Sequence, residues 1–356
     1  MEANDASLEQ TSTEKASTEQ ASTEQVGTEQ SGDRPSQTAL IAAAARAAHL
    51  IVDHEPVIFA DELAAPLLGE QADELIGYHR AHGSHLVLSC ARAQVLCRSR
   101  FTEDHLAACV RGGITQYVIL GAGLDSFAYR PASGRPASGR PGPGRPRPGR
   151  PGPGSQGLAR IFEVDHPGIQ RWKRAHLASA GITVPDTVNF VAVDFERDSL
   201  AGRLAQAGLD PSRPALVSWL GVTMYLTEAA ISQTLAEISG FAPGTQLITD
   251  YMLPAALRDE TGRSYAELVA PAVAERGEPW LTFLAPDDMS ALLGRHGFGP
   301  VEHVRQRDSI PAALWDRTDS LHPAGLSLLA RATLAGATRA RTPLARATRG
   351  TGPGPG

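Results

Sequence analysis

Cysteine is scarce in this chain: Cys90, Cys97 and Cys109 are all it has among 356 residues, and none stand in a CxxC spacing. An odd count without a pattern offers no disulfide framework; it points to reduced thiols, buried as small hydrophobes in a cytoplasmic protein. Long apolar runs are missing too. No stretch is long enough to span a bilayer, and no charged start leads into an apolar segment, so a soluble protein that is not exported is expected, with no membrane partner. Nor is there a basic excess: the formal net charge is −6. The N-terminal section 1–33 carries eight Asp/Glu and one Lys, whereas the segments 131–157 and 331–356 carry five Arg each. What remains is acidic, which argues against a nucleic-acid enzyme.

Those segments differ from the rest in composition. Residues 1–33 repeat a five-residue unit (STEKA, STEQA, STEQV), 131–157 are almost entirely Pro, Gly, Arg, Ser and Ala, and 331–356 are rich in Ala, Arg, Thr and Gly. They hold too little apolar surface to offset the entropy of ordering, so mobile tails and a mobile insert are expected around one domain at 34–333, with residues near 331 finishing its last strand. Elsewhere the 42% hydrophobic content of the chain suffices for an ordinary core.

The organising stretch is Gln116–Arg130, QYVILGAGLDSFAYR. Tyr117–Leu120 is apolar, too short for a helix and stopped by Gly121, which reads as a strand buried on both faces. Gly121 and Gly123 permit a tight turn and close approach by a ligand. Asp125 or Ser126 is placed to cap a helix starting near Phe127, completing the nucleotide-binding corner of a doubly wound sheet. Further strands are expected at Arg160–Val164, Asn189–Val193, Ala215–Trp219 and Gln246–Tyr251, alternating with helices, which implies a parallel sheet. Val301–Arg305 and Leu326–Thr333 lack a helical spacer and suggest an antiparallel hairpin at the sheet edge. Upstream, Ser36 caps a helix over Gln37–Leu50, Asp53–Gly69 reads as a short helical arm, and Ser84–Arg111 as a long amphipathic helix. His79, His82 and His85 are spaced as metal ligands are, but Gly83 interrupts the helix and no Cys or carboxylate completes a set, which favours a polar surface turn.

Open sheets bind ligands beyond the carboxyl ends of their strands. Asp165, stopped by Pro167, and Asp194, followed by Phe195, end consecutive strands there. The first can accept hydrogen bonds from both ribose hydroxyls, and the second from an adenine amino group. A dinucleotide fingerprint would want a third glycine where Ser126 stands. Adenosine with a short charged tail and no phosphate fits better, and S-adenosylmethionine is that ligand. A nicotinamide-dependent oxidoreductase and a non-catalytic adenosylmethionine-binding protein are the alternatives.

In order, VILGAGLDSFAYR, FEVDHP with KRAHLA, VAVDF and LGVTMYLT resemble the motifs of the leucine carboxyl methyltransferase-like family, in its bacterial S-adenosylmethionine-dependent branch. RSRF (Arg98–Phe101) and GEPWLTFLAPDDMSALLGRHGF (Gly277–Phe298) are similar to it as well. The resemblance covers about Ser36–Thr333 without the insert. It implies an α/β fold: a Rossmann-like class I methyltransferase sheet, mostly parallel with an antiparallel edge hairpin, under an α-helical N-terminal cover. It further implies that Arg98 holds the cofactor carboxylate, that the turn of Gly121, Gly123 and Asp125 lies against the cofactor, that Asp165 binds the ribose, and that Asp194 with Phe195 binds the adenine. Leu220 departs from the pattern, because relatives often carry Glu before Gly221.

On the acceptor side, Tyr225 sits just past the fourth strand and is the candidate catalytic residue; a structural tyrosine with its ring in the core is the alternative. Arg258 and Arg263 could hold an anion or form surface ion pairs. A carboxylate acceptor needs no base. O-methylation of a small carboxylic acid is therefore the expected reaction.

Overall fold

The structure, a computed structural model, describes residues 35–130, 157–194 and 197–336. The acidic repeat, most of the insert, the C-terminal tail and Phe195 lie outside the described residues, so the expectations placed on them are not taken further. The expected seven-stranded mixed sheet is present. β1 (Gln116–Leu120), β2 (Arg160–Asp165), β3 (Val188–Ala192), β4 (Ala215–Trp219) and β5 (Gln246–Met252) run parallel. β6 (Phe298–Arg305) and β7 (Ser327–Leu334) are antiparallel, and the order is β3-β2-β1-β4-β5-β7-β6. The chain lays down β2 and β3 on one side of β1 and β4 and β5 on the other, so the switch point falls between β1 and β4.

β1 is apolar throughout because both of its faces are covered. Tyr117 and Ile119 join a core with Ala43, Leu67, Leu106 and Leu177. Val118 and Leu120 join the opposite core with Trp219, Leu235 and Leu292. The two-residue repeat of the strand thus feeds two separate helical layers.

One layer is built largely by the N-terminal cover: α1 (Gln37–Val52), α2 (Ala64–Leu68), α3 (Ala72–His82) and α4 (Leu86–Arg111), with α5 (Pro167–Ser179) beside them. Ser36 caps α1 by accepting from the Ala39 N–H at 3.1 Å, and the buried alanines of α1 allow it to lie close on its neighbours. The other layer includes α6 (Leu200–Gln206), α7 (Glu228–Ile238) and α9 (Pro286–Arg295), while α8 (Glu260–Glu275) contacts α4. Thr227 caps α7, as its position suggests.

Several expectations need correction. No helix begins near Phe127; residues 121–130 form turns, and Asp125 accepts from the Phe127 N–H at 2.8 Å as a local turn and not a helix cap. The arm 53–69 is helical only over Ala64–Leu68. The C-terminal strand continues through Leu334, and the short helix α6 was not anticipated.

The histidine turn is the largest revision. His79 is buried within α3, where its Nδ1 accepts from Arg92 Nη1 at 3.2 Å. Arg92, 1% exposed, also donates to both Asp53 oxygens and to the Gly83 carbonyl. His49 donates from Nδ1 to Asp53, and its Nε2 accepts from the Ile58 N–H. This network joins α1, the arm, α3 and α4, and the burial of His79 beside Arg92 pushes its imidazole down to about 4. The cysteines are buried, as expected.

Candidate active site

The carboxyl edge of the sheet gathers most of the residues singled out from the sequence. After β1 the backbone turns at Gly121, φ 66°, where a Cβ would stand 2.6 Å from Val222 Cγ2. Only glycine suits both that conformation and that contact. Gly123 donates its N–H to Asp165 Oδ2 at 2.6 Å, and Asp165 Oδ1 accepts from the His166 N–H at 2.7 Å. The end of β2 therefore clamps the glycine turn that follows β1. Burial raises the Asp165 carboxyl above its ordinary value, against the pull of those two N–H groups and of Lys173. A carboxylate has about four lone-pair sites, so acceptor capacity remains for a ligand.

Asp194 follows β3, two strands from β1, with its side chain 27% exposed and 3.6 Å from Arg197. Asp125 stays in the turn beside Phe127. Below the turn, a cavity of about 20 Å³ is lined by Arg46, Asp61, Glu103, Asp125, Arg130 and Leu220, among others. That is room for a water and not for a nucleoside. Burial lifts Glu103 to about 7 in spite of its ion pair with Arg130. Burial also acts to raise Asp61, but Arg46 and Arg130 outweigh it and hold the group below its ordinary value. Leu220 thus faces a charged cluster.

Arg98 reaches the same edge from α4. Its Nη1 donates to Asp250 Oδ2 at 3.1 Å, and Asp250 Oδ1 accepts from the Gly221 N–H at 2.6 Å. The guanidinium lies over Gly221, φ 71°, where a Cβ would come within 2.6 Å of Nη2. Asp250 is fully buried and was not singled out from the sequence. A lone acid near the end of the apolar run QLITDYM was the available signal.

Tyr225 ends a 3₁₀ turn, Thr223–Tyr225, just beyond β4. Its hydroxyl meets the side chains of Thr38 of α1 and Trp280, Arg98 and Glu278 act on it through their charge, and its ring packs in one cluster with Tyr265 and Trp280. Burial raises the phenol above its ordinary value, partly offset by the Thr38 hydroxyl and the Trp280 indole. Glu278 accepts from both the N–H and the hydroxyl of Thr38, tying the first turn of α1 to the segment after α8. Ala39, the next residue of α1, lies 3.6 Å from the Cβ position of Gly123. Arg258 and Arg263 contribute otherwise: Arg258 donates to the Leu253 carbonyl and lies over Phe283, and Arg263 donates to the Arg258 carbonyl.

The sequence profile described as leucine carboxyl methyltransferase matches residues 39–136 and 152–239, more than half of the chain. The chain belongs to that family. This methyltransferase is 27% identical over 307 residues to a Bacillus subtilis protein named "Putative S-adenosyl-L-methionine-dependent methyltransferase YktD", covering 80% of this chain and 93% of that one. It is 32% identical over 229 residues to a Mycobacterium avium protein named "Putative S-adenosyl-L-methionine-dependent methyltransferase", covering 60% and 65% of the two chains. Among solved structures, a "putative methyltransferase" from Thermobifida fusca superposes with a TM-score of 0.50 at 15% identity, over 86% of this chain and 97% of that one. That likeness concerns the fold. Among the described residues, no helix of the methyltransferase is long and apolar enough to cross a membrane.

Proposed function

We propose that this methyltransferase takes its methyl group from S-adenosylmethionine and esterifies a small carboxylic acid. The residues at the carboxyl edge fit the donor. Asp165 keeps free lone pairs for ribose hydroxyls, the turn at Gly121 and Gly123 allows close approach, and Arg98 has donors left for a carboxylate after pairing with Asp250. Asp194, which follows β3, is assigned to the adenine amino group, and Phe195 follows it in the sequence. When bound, S-adenosylmethionine supplies a methyl group on a sulfonium, whose carbon–sulfur electron pair returns to sulfur as an acceptor oxygen takes the carbon.

The protein's part is alignment and exclusion of water. The single observation that carries the acceptor reading is the setting of Tyr225. Burial raises its phenol above the ordinary value, which does not suit it to act as a base. Its neighbours Thr38, Trp280, Arg98, Glu278 and Tyr265 include no histidine or lysine, and one oxygen of the Glu278 carboxylate accepts from Thr38. A carboxylate acceptor is already a nucleophile and loses no proton on methylation; an alcohol would require a base, and this set has neither histidine nor lysine to act as one. Thr38 and Ala39 bring the start of α1 against the glycine turn and Glu278, and the segment after Trp280 is tied to Met224, contacts that support a small acceptor. The family favours neither a nicotinamide oxidoreductase nor a non-catalytic binder.

The test is turnover of methyl-labelled S-adenosylmethionine against carboxylic acids, phenols and peptides. The expected product is a methyl ester that releases labelled methanol in mild alkali. An alkali-stable product would overturn the carboxylate reading.

A further inference from the structure

A charged acid inside a core strand costs stability unless it is paired, and β5 carries one. The two-residue repeat of QLITDYM puts Asp250 on the same face as Ile248 and Met252, toward the cover that contains α4, where an apolar side chain would pack without that penalty. Asp250 is instead fully buried and committed at both oxygens. Oδ1 accepts from the Gly221 N–H at 2.6 Å, and Oδ2 accepts from Arg98 Nη1 at 3.1 Å. Its carbonyl accepts from the Thr223 hydroxyl at 2.6 Å, so the segment that leaves β4 is anchored to the same residue. The grip on Arg98 is one-sided. Among the described residues Arg98 makes no other hydrogen bond, and its side chain is 15% exposed, which leaves the Nε and Nη2 donors uncommitted. A second constraint is steric: Gly221 lies under the guanidinium, and a Cβ there would stand no more than 2.9 Å from Nη1, Nη2 and Cζ. A long, flexible side chain is thereby held by one corner and one face.

We propose that Asp250 is the positioning residue for the cofactor's carboxylate. It fixes the Arg98 guanidinium at Nη1, so that Nε and Nη2 form a preset fork of the kind that meets a carboxylate with two hydrogen bonds, and through Gly221 it sets the turn on which that guanidinium rests. This rests on the reading of Arg98 as the group that holds the amino-acid end of S-adenosylmethionine. Asp250 itself is fully buried and acts only through Arg98 and Gly221. Its charge is retained for orientation: with a neutral residue in its place Arg98 would sample its rotamers and lose that freedom on binding.

The experiment titrates the full chain calorimetrically with S-adenosylhomocysteine and with 5′-methylthioadenosine, which keeps the adenosine and lacks the amino-acid end. The wild type is compared with Asp250→Asn and with the double variant Arg98→Met, Asp250→Asn, which removes the pair without stranding either charge. Asp250→Asn is expected to weaken S-adenosylhomocysteine about tenfold, as for a charged hydrogen bond made less well, and to leave 5′-methylthioadenosine unchanged. Equal weakening of both ligands, or an unchanged preference between them, overturns the proposal and makes Asp250 a structural group alone. If the double variant loses the preference while Asp250→Asn keeps it, Arg98 holds the cofactor and the role of Asp250 fails. If the double variant keeps the wild-type preference, the reading of Arg98 fails and the proposal with it. Thermal melting checks that each variant is folded. If Asp250→Asn is not, Asp250→Ser, which lacks the amide that would face Arg98, is titrated in its place against the same outcomes.

Discussion

Asp165→Asn separates a residue kept for a ligand from one kept for the fold. In the wild type the carboxylate accepts the Gly123 and His166 N–H groups at 2.6 Å and 2.7 Å, yet burial still leaves its folded-state value raised. A raised carboxyl contributes stability below its unfolded value and loses that contribution as pH rises through the folded value. At neutral pH the charge of Asp165 is therefore a cost to the empty protein. Asparagine removes the charge and keeps one acceptor oxygen, at the expense of one mispaired N–H. The two changes oppose each other, so stability should move by no more than about 1 kcal/mol. Cofactor binding has no such compensation. Losing charged hydrogen bonds to ribose hydroxyls should weaken it by about 1–3 kcal/mol, roughly five- to 150-fold. Urea unfolding measures the first quantity, and calorimetric titration with S-adenosylhomocysteine the second. A variant that loses several kcal/mol of stability but binds as the wild type does would refute the reasoning and make Asp165 a structural clamp alone.

Two more expectations concern buried charge. Lys173 donates to Glu163 at 2.7 Å with both side chains almost fully buried, so Lys173→Met should destabilise by about 3–5 kcal/mol, and adding Glu163→Gln should recover most of it. Thermal unfolding of the single and double variants decides, and equal losses in both would show that the pair is not coupled. His79, held neutral by burial down to about 4, gives stability that is complete above its unfolded value of 6.5 and lost as pH falls between the two. Between pH 7 and pH 4 the wild type should lose about 3 kcal/mol more than His79→Asn, and parallel stability curves would contradict this.

The glycine turn and the acids at the strand ends were legible because each is a local signal: an apolar run, an abrupt glycine, an acid where the strand must stop. The helix expected at Phe127 was not correct, because a turn closed by the Asp125 side chain uses the same capping residue as a helix start. His79 misled in a similar way. Three histidines near a glycine look exposed in one dimension, and only the Arg92–Asp53 pair, formed between α4 and the end of α1, explains why one of them is buried.

Sequence alone determined the strands, their parallel succession, the antiparallel edge and the resemblance that named the cofactor, since period, punctuation and motif order are properties of neighbouring residues. The tertiary structure decided the partners. Arg98 meets Asp250 across 152 positions and Thr38 meets Glu278 across 240. Such pairings follow from which strand lies beside which and which helix is laid over the edge, and no local pattern encodes them.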